Sequence, residues 1–148
     1  RALLDACPGL EAVLVDLPEV VREAGANLAA HVAAGRCRIV GADFRQAVLP
    51  QADLYVLKRV ASTCAAADVA LLLRQVRAAI PPHGRLLVAD PELDSIYGAL
   101  FDVLMLVATG GGLRTAPEMA ALLESAGFRL ARTLGTPATL RVFEAVPA

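Results

Sequence analysis

Four short apolar runs constrain the fold most: Val13-Leu14-Val15, Arg38-Ile39-Val40, Leu54-Tyr55-Val56-Leu57 and Leu86-Leu87-Val88. None alternates polar with apolar residues, so each suits a strand buried on both faces, as in a parallel sheet. Each run leads to a charged residue: Asp16, Asp43, Lys58 and Asp90. Helical stretches lie between them. Pro18 suits a first helical turn, Glu19 to Ala34 follows, and Gly35 is a stop signal. Asp68 is placed to cap a helix through Val69–Ala79, which Pro81-Pro82 ends. This β-α-β alternation predicts an α/β, Rossmann-like, doubly wound and mostly parallel sheet with right-handed crossovers. Ligands of such sheets sit outside the carboxyl ends of the strands, where the four charged residues fall.

The last third changes character. Gly98 to Ala108 is almost wholly apolar and reads as a buried helix, and Gly110-Gly111-Gly112 as a flexible loop. Thr115 with Glu118 forms a capping box for a helix starting near Pro117 and ending at Gly127. Phe128–Arg132 and Leu140–Glu144 alternate about a Gly135-Thr136-Pro137 turn, which predicts a C-terminal antiparallel hairpin with one solvated face. With no repeat or low-complexity linker, residues 1–148 are read as part of one domain.

Composition excludes several functions. A net charge of -1 gives no basic stripe for nucleic acid, and the absence of Trp leaves no stacking platform. The apolar stretches fall far short of the ~20 residues of a membrane span, and no basic-then-apolar leader is present. Cys7, Cys37 and Cys64 are odd in number and widely spaced, without C-x-x-C. They read as free thiols in a reducing cytoplasm, with no metal site. His31 and His83 read as surface histidines. Thirteen of the 14 basic residues are Arg, and Lys58 is the single Lys.

Several segments carry a resemblance: Val15-Asp16-Leu17-Pro18-Glu19-Val20-Val21, Gly41-Ala42-Asp43-Phe44, Tyr55-Val56-Leu57-Lys58-Arg59-Val60 and Gly84-Arg85-Leu86-Leu87-Val88. Met105-Leu106-Val107, Thr109-Gly110-Gly111, Arg114-Thr115 and Leu122 to Phe128 follow in order. The chain resembles the C-terminal catalytic domain of S-adenosylmethionine-dependent O-methyltransferases of the plant caffeate and bacterial polyketide-tailoring type. The resemblance implies methyl transfer to a phenol or hydroxyl of a small aromatic or secondary metabolite. It also implies a homodimer formed through N-terminal helices. Asp16, beside Leu17, would accept hydrogen bonds from both ribose hydroxyls, since a carboxylate offers two acceptor oxygens. Asp43 and Phe44 would hold the adenine, Lys58 would stand near the methionine end, and Met105 would pack against the acceptor.

The departures are informative. Members that deprotonate a phenol usually carry Leu-His-Asp-Trp after the Lys-Arg-Val segment, with the His as general base. Here Ala61-Ser62-Thr63-Cys64 stands there, so Ser62 occupies the base position. Of the two carboxylates that orient that His, one becomes Asp90 and the other Leu113. Losing a positioned base costs about 10²–10⁴-fold, although proximity can still drive transfer to an acidic acceptor. The family's Gly-rich cofactor loop follows its first strand, and Arg1 to Cys7 reads as the helix after that loop. The first strand and loop are therefore expected upstream of Arg1, and this segment alone is expected not to form the full site. Two other functions fit the lost base: non-methylating chemistry (hydroxylation, decarboxylation or ring formation) on a retained scaffold, or a non-catalytic interaction subunit.

Overall fold

All four apolar runs form strands in the computed structural model, which describes every residue except Ser95 and Ala138. The chain gathers into two compact units, residues 1–50 and 51–148.

In the first unit, β1 (Ala12–Asp16) and β2 (Cys37–Gly41) pair in parallel, with Asp16 opposite Gly41. Helix α1 (Ala2–Ala6) precedes them and α2 (Pro18–Ala33) crosses over between them. Pro18 occupies the first turn of α2, where its missing N–H costs nothing, and Gly35 (φ 70°) turns the chain out of the helix. Leu4, Leu28 and Cys37 form the core, with Leu10, Ala12, Leu14 and Ile39 packed against it. The Arg36 guanidinium donates to the Leu4, Cys7 and Leu10 carbonyls at 2.8, 2.7 and 3.2 Å, satisfying groups at and beyond the end of α1. His31 Nε2 donates to Asp5 Oδ1 at 2.9 Å and so has a partner on α1.

The second unit holds β3 (Leu54–Lys58), α3 (Ala66–Ala79), β4 (Arg85–Pro91), α4 (Ile96–Thr109), α5 (Ala116–Ser125), β5 (Phe128–Gly135) and β6 (Leu140–Pro147). Its sheet runs β3-β4-β6-β5, with β3 and β4 parallel and the remaining pairs antiparallel. The register sets Leu86 opposite Ala145, Val88 opposite Phe143 and Phe128 opposite Pro147. Directly opposed residues share a face, so Leu86, Val88, Phe143, Ala145 and Phe128 form one buried layer. The helices contribute Val69, Leu72, Leu73 and Val76 from α3 and Met119 and Leu123 from α5, at helical spacing. The Thr115–Glu118 capping box forms as the sequence predicts.

On the other face, Glu144 stands opposite Leu87 and Arg132 and is only 3% exposed. Arg132 Nε donates to its Oε2 at 2.5 Å, and Arg85 Nη1 pairs with its Oε1. These two hydrogen bonds, Arg132 first, hold the Glu144 carboxyl below its ordinary value. A depressed folded pKa adds stability above the unfolded value, and that stability is lost as pH falls through the folded one. Thermal stability should therefore fall as pH drops below about 4. Melts of Glu144→Gln should show a shallower acid slope than the parent, and equal slopes would remove Glu144 from the account.

Four sequence expectations need correction. Neither β1 nor β3 is buried on both faces: Val13 is 38% exposed, and Leu54 and Val56 are 42% and 44% exposed, because among the described residues β3 pairs only with β4. Asp68 is not the N-cap residue: it lies inside the first turn of α3, with Ala65 at the N-cap, where its charge favours the helix start. Helix α4 is not buried: Tyr97, Leu100, Leu106 and Val107 are 79%, 64%, 62% and 81% exposed. Apart from Asp102 its residues are almost all apolar, but among the described side chains those on one side only are covered. The hairpin is longer than expected, and Ala138 at its tip lies outside the described residues.

Candidate active site

In the first unit, the carboxyl ends of β1 and β2 carry four of the predicted site residues. Asp16 closes β1 with its side chain exposed, and its Oδ1 accepts the Leu17 N–H at 2.8 Å, opening α2. Its carbonyl accepts Ala42 N–H at 2.8 Å, extending the parallel ladder toward Asp43. Asp43 is already engaged: Arg45 donates its backbone N–H at 2.9 Å and its Nε at 3.0 Å to Oδ1. The side-chain bond, then the backbone bond, hold the Asp43 carboxyl below its usual range. The same guanidinium lies 5.8 Å above the Phe44 ring. Arg45 is thus a direct neighbour of the candidate site that the sequence reading missed, and its signal was its place two positions after Asp43.

In the second unit, Ser62 and Asp90 meet at the carboxyl end of the β3–β4 pair, where β3 ends on Lys58. Lys58 is exposed and stands opposite Ala89. Arg59 follows with φ 55°, a left-handed backbone that a non-glycine residue rarely adopts, and its N–H donates to Ala89 O at 2.9 Å. Asp90 is 1% exposed and Ser62 2%. The Asp90 carboxylate accepts the Ala61 and Ser62 backbone N–H groups, each at 3.2 Å, and the Ser62 hydroxyl at short range. Burial pushes the Asp90 carboxyl up, against the hydrogen bonds from Ser62 and Ala61 and the nearby Arg114 charge. Arg114 Nη1 donates to Ala61 O at 2.7 Å and Gly112 O at 3.1 Å. Gly112 N–H donates to Ser62 O at 3.0 Å. At Gly111 a Cβ would overlap the Ser62 carbonyl oxygen and lie 2.9 Å from the Thr63 carbonyl carbon. The glycine run is therefore a close-approach segment rather than a loose loop.

Met105 is half-buried on α4, and Leu113 is buried. Asp102, the single charged residue of α4, accepts the Leu113 N–H at 2.6 Å. A lone acid in an apolar helix was the signal that could have found it. A cleft of about 450 Å³ adjoins this end of the sheet, lined among others by Arg59, Glu92, Tyr97, Phe101, Thr136 and Arg141. Arg141 pairs with Glu92 and lies 3.5 Å from Asp94, so its charge is balanced within the cleft wall.

The O-methyltransferase domain family matches residues 1–129. The chain belongs to that family. A mitomycin biosynthesis 6-O-methyltransferase of Streptomyces lavendulae is 41% identical over 136 residues, 90% of this chain and 39% of that protein. The solved mitomycin 7-O-methyltransferase MmcR superposes with a TM-score of 0.93 at 38% identity, covering 99% of this chain and 44% of that one. CalO1, a methyltransferase in calicheamicin biosynthesis solved in its SAH-bound form, superposes at 0.87 with 38% identity, over 99% of this chain and 44% of its own. The α/β fold expected from the strand pattern, and the methyltransferase fold that the resemblance implies, are thereby shown. The chain spans about two fifths of the length of the curated relatives it matches. Among the described residues no helix is long and apolar enough to cross a membrane.

Proposed function

We propose that this chain is the C-terminal catalytic part of an S-adenosylmethionine-dependent O-methyltransferase acting in the cytoplasm on an acidic phenol or hydroxyl of a small secondary metabolite. The observation that carries the reading is the family match, supported within the first unit by Asp16 at the end of β1 and Asp43 just beyond β2, and within the second by Lys58 at the end of β3, each where ligands of doubly wound sheets bind. The residues fit the cofactor chemically. Asp16, exposed and with a second carboxylate oxygen, suits a ribose diol. Asp43 and Phe44 suit an adenine amine and ring, with Arg45 sharing Asp43. The Lys58 ammonium suits a carboxylate. Leu17 shapes the Asp16 turn, and Met105 on α4 is the residue we read as facing the acceptor.

When bound, the cofactor supplies an electrophilic methyl group on a sulfonium. Ser62 and Asp90 hold the family's base and acid positions, but Ser62 is buried and its proton is committed to Asp90. An acceptor that is already ionised needs no such base, and holding it in line supplies much of the acceleration. The exposed apolar face of α4 suits contact with further helices of a longer, dimeric protein.

Calorimetric titration of S-adenosylhomocysteine into the full-length protein, then incubation with methyl-labelled cofactor and phenols of graded acidity, tests the reading. Binding is expected, with label transfer favouring the most acidic phenols. Binding without transfer to any acceptor would point to altered chemistry, and absence of binding would overturn the proposal.

A further inference from the structure

We propose that Asp90 is a positioning residue for the cofactor's amino-acid end: by clamping the backbone at Ala61 and Ser62 it fixes the turn that presents Lys58 and Arg59. This rests on the methyltransferase reading above and deepens it.

The argument starts from backbone strain. Arg59 sits at φ 55° immediately after β3, although nothing in an Arg side chain favours that conformation. Such outliers persist where the surroundings over-determine them, and they gather at ligand sites. Here the surroundings are visible. Arg59 N–H is held by Ala89 O, before Asp90 on the neighbouring strand. Two residues further on, both carboxylate oxygens of Asp90 are used: Oδ2 takes Ala61 N–H, and Oδ1 takes Ser62 N–H and the Ser62 hydroxyl. Thr63 Oγ1 then donates back to the Arg59 and Val60 carbonyls at 3.0 and 3.2 Å, closing the turn on itself. Arg114 and Gly112 hold the Ala61 and Ser62 carbonyls from the other side.

Asp90 and Ser62 are almost wholly buried, so neither offers an atom to a ligand. Lys58 and Arg59 are the exposed groups at this strand end. No side-chain hydrogen bond or ion pair engages either among the described residues. Two adjacent cations at the exit of a parallel strand suit a carboxylate. Their placement depends on the clamp beneath them.

The test compares two probes by calorimetry on the full-length protein. S-adenosylhomocysteine carries the amino-acid end, and 5′-methylthioadenosine keeps the adenosine and sulfur but lacks it. Asp90→Asn turns one oxygen into an NH₂ that faces a backbone N–H, so one clamp bond is lost. Affinity for S-adenosylhomocysteine should fall about tenfold, the equivalent of one such bond, while methylthioadenosine binding stays within about twofold. Ser62→Ala keeps both backbone bonds and should cost about threefold on S-adenosylhomocysteine alone. It decides the matter if Asp90→Asn does not fold. A merely structural role would weaken both probes equally, and that result, or no change in either, overturns the inference while leaving the methyltransferase reading intact. Parent protein that binds neither probe overturns the reading itself.

Discussion

Phe143→Ala is expected to remove about 3–5 kcal/mol from the stability of the 51–148 unit. Phe143 is 1% exposed on β6, one of the two inner strands of its sheet, opposite Val88 on β4 and Thr133 on β5. Its ring belongs to the layer formed by Leu86, Val88, Ala145 and Phe128, all nearly inaccessible. Truncation loses the transfer energy of the ring and leaves a cavity that a hydrogen-bonded sheet cannot close by shifting. Leu134→Ala, 42% exposed near the hairpin end, is the control and should cost less than about 1 kcal/mol. Urea melts of the full-length variants, compared at the midpoint, read the difference. A loss for Phe143→Ala no larger than the control's would show that this layer is not the core. The effect reaches function because Val88 lies two residues before Asp90 on the same face of β4. A void beneath Val88 loosens the strand end that anchors Ala61 and Ser62.

Much of this architecture is legible in the sequence, and the reasons are local. The runs at Val13, Ile39, Val56 and Leu87 carry no polar interruption, and strands follow. Pro18, Gly35, Gly127 and the Thr115–Glu118 pair act through their own backbone or nearest turn, so their effects do not wait on tertiary contacts. Exposure is less legible, because it depends on neighbours. Leu54 and Val56 read as buried from composition, yet they lie on an edge strand. The apolar α4 reads as a core helix, yet most of its large side chains face outward.

The site follows the same division. That Asp16, Asp43 and Lys58 stand at strand ends follows from the β-α-β pattern, because the strands themselves place them. That Asp43 is shared with Arg45 depends on a rotamer, and that the Ser62 hydroxyl donates a hydrogen bond to Asp90 joins residues 28 apart. Neither relation leaves a periodic trace. The left-handed turn at Arg59 contradicts local propensity, and local reasoning fails at such points because the surroundings impose the conformation. Asp90 shows the consequence. Read against the family it is a carboxylate left without its His; in the folded chain its three hydrogen bonds go to Ala61 and Ser62.

The largest binding effect is expected at Asp16. Asp16→Ala should weaken S-adenosylhomocysteine binding about 100-fold or more, because two charge-assisted hydrogen bonds to a ribose diol are worth roughly 3 kcal/mol together. The side chain is exposed at the end of β1, and among the described residues its one hydrogen bond is the Leu17 N–H on Oδ1. Little in the core depends on it, so the fold should tolerate its removal with a stability loss below about 1 kcal/mol. That separation makes the experiment decisive. Asp16→Asn keeps one acceptor oxygen and the shape but loses the charge, so its affinity should fall between parent and Ala variant. Adenine, which has no ribose, should bind parent and variants alike, and its small affinity can be read by competition. If Asp16→Ala binds S-adenosylhomocysteine as the parent does, Asp16 merely opens α2 through Leu17, and the ribose is held by other groups. If adenine binding falls in step, the carboxylate acts through the local fold of the β1 end rather than through the diol.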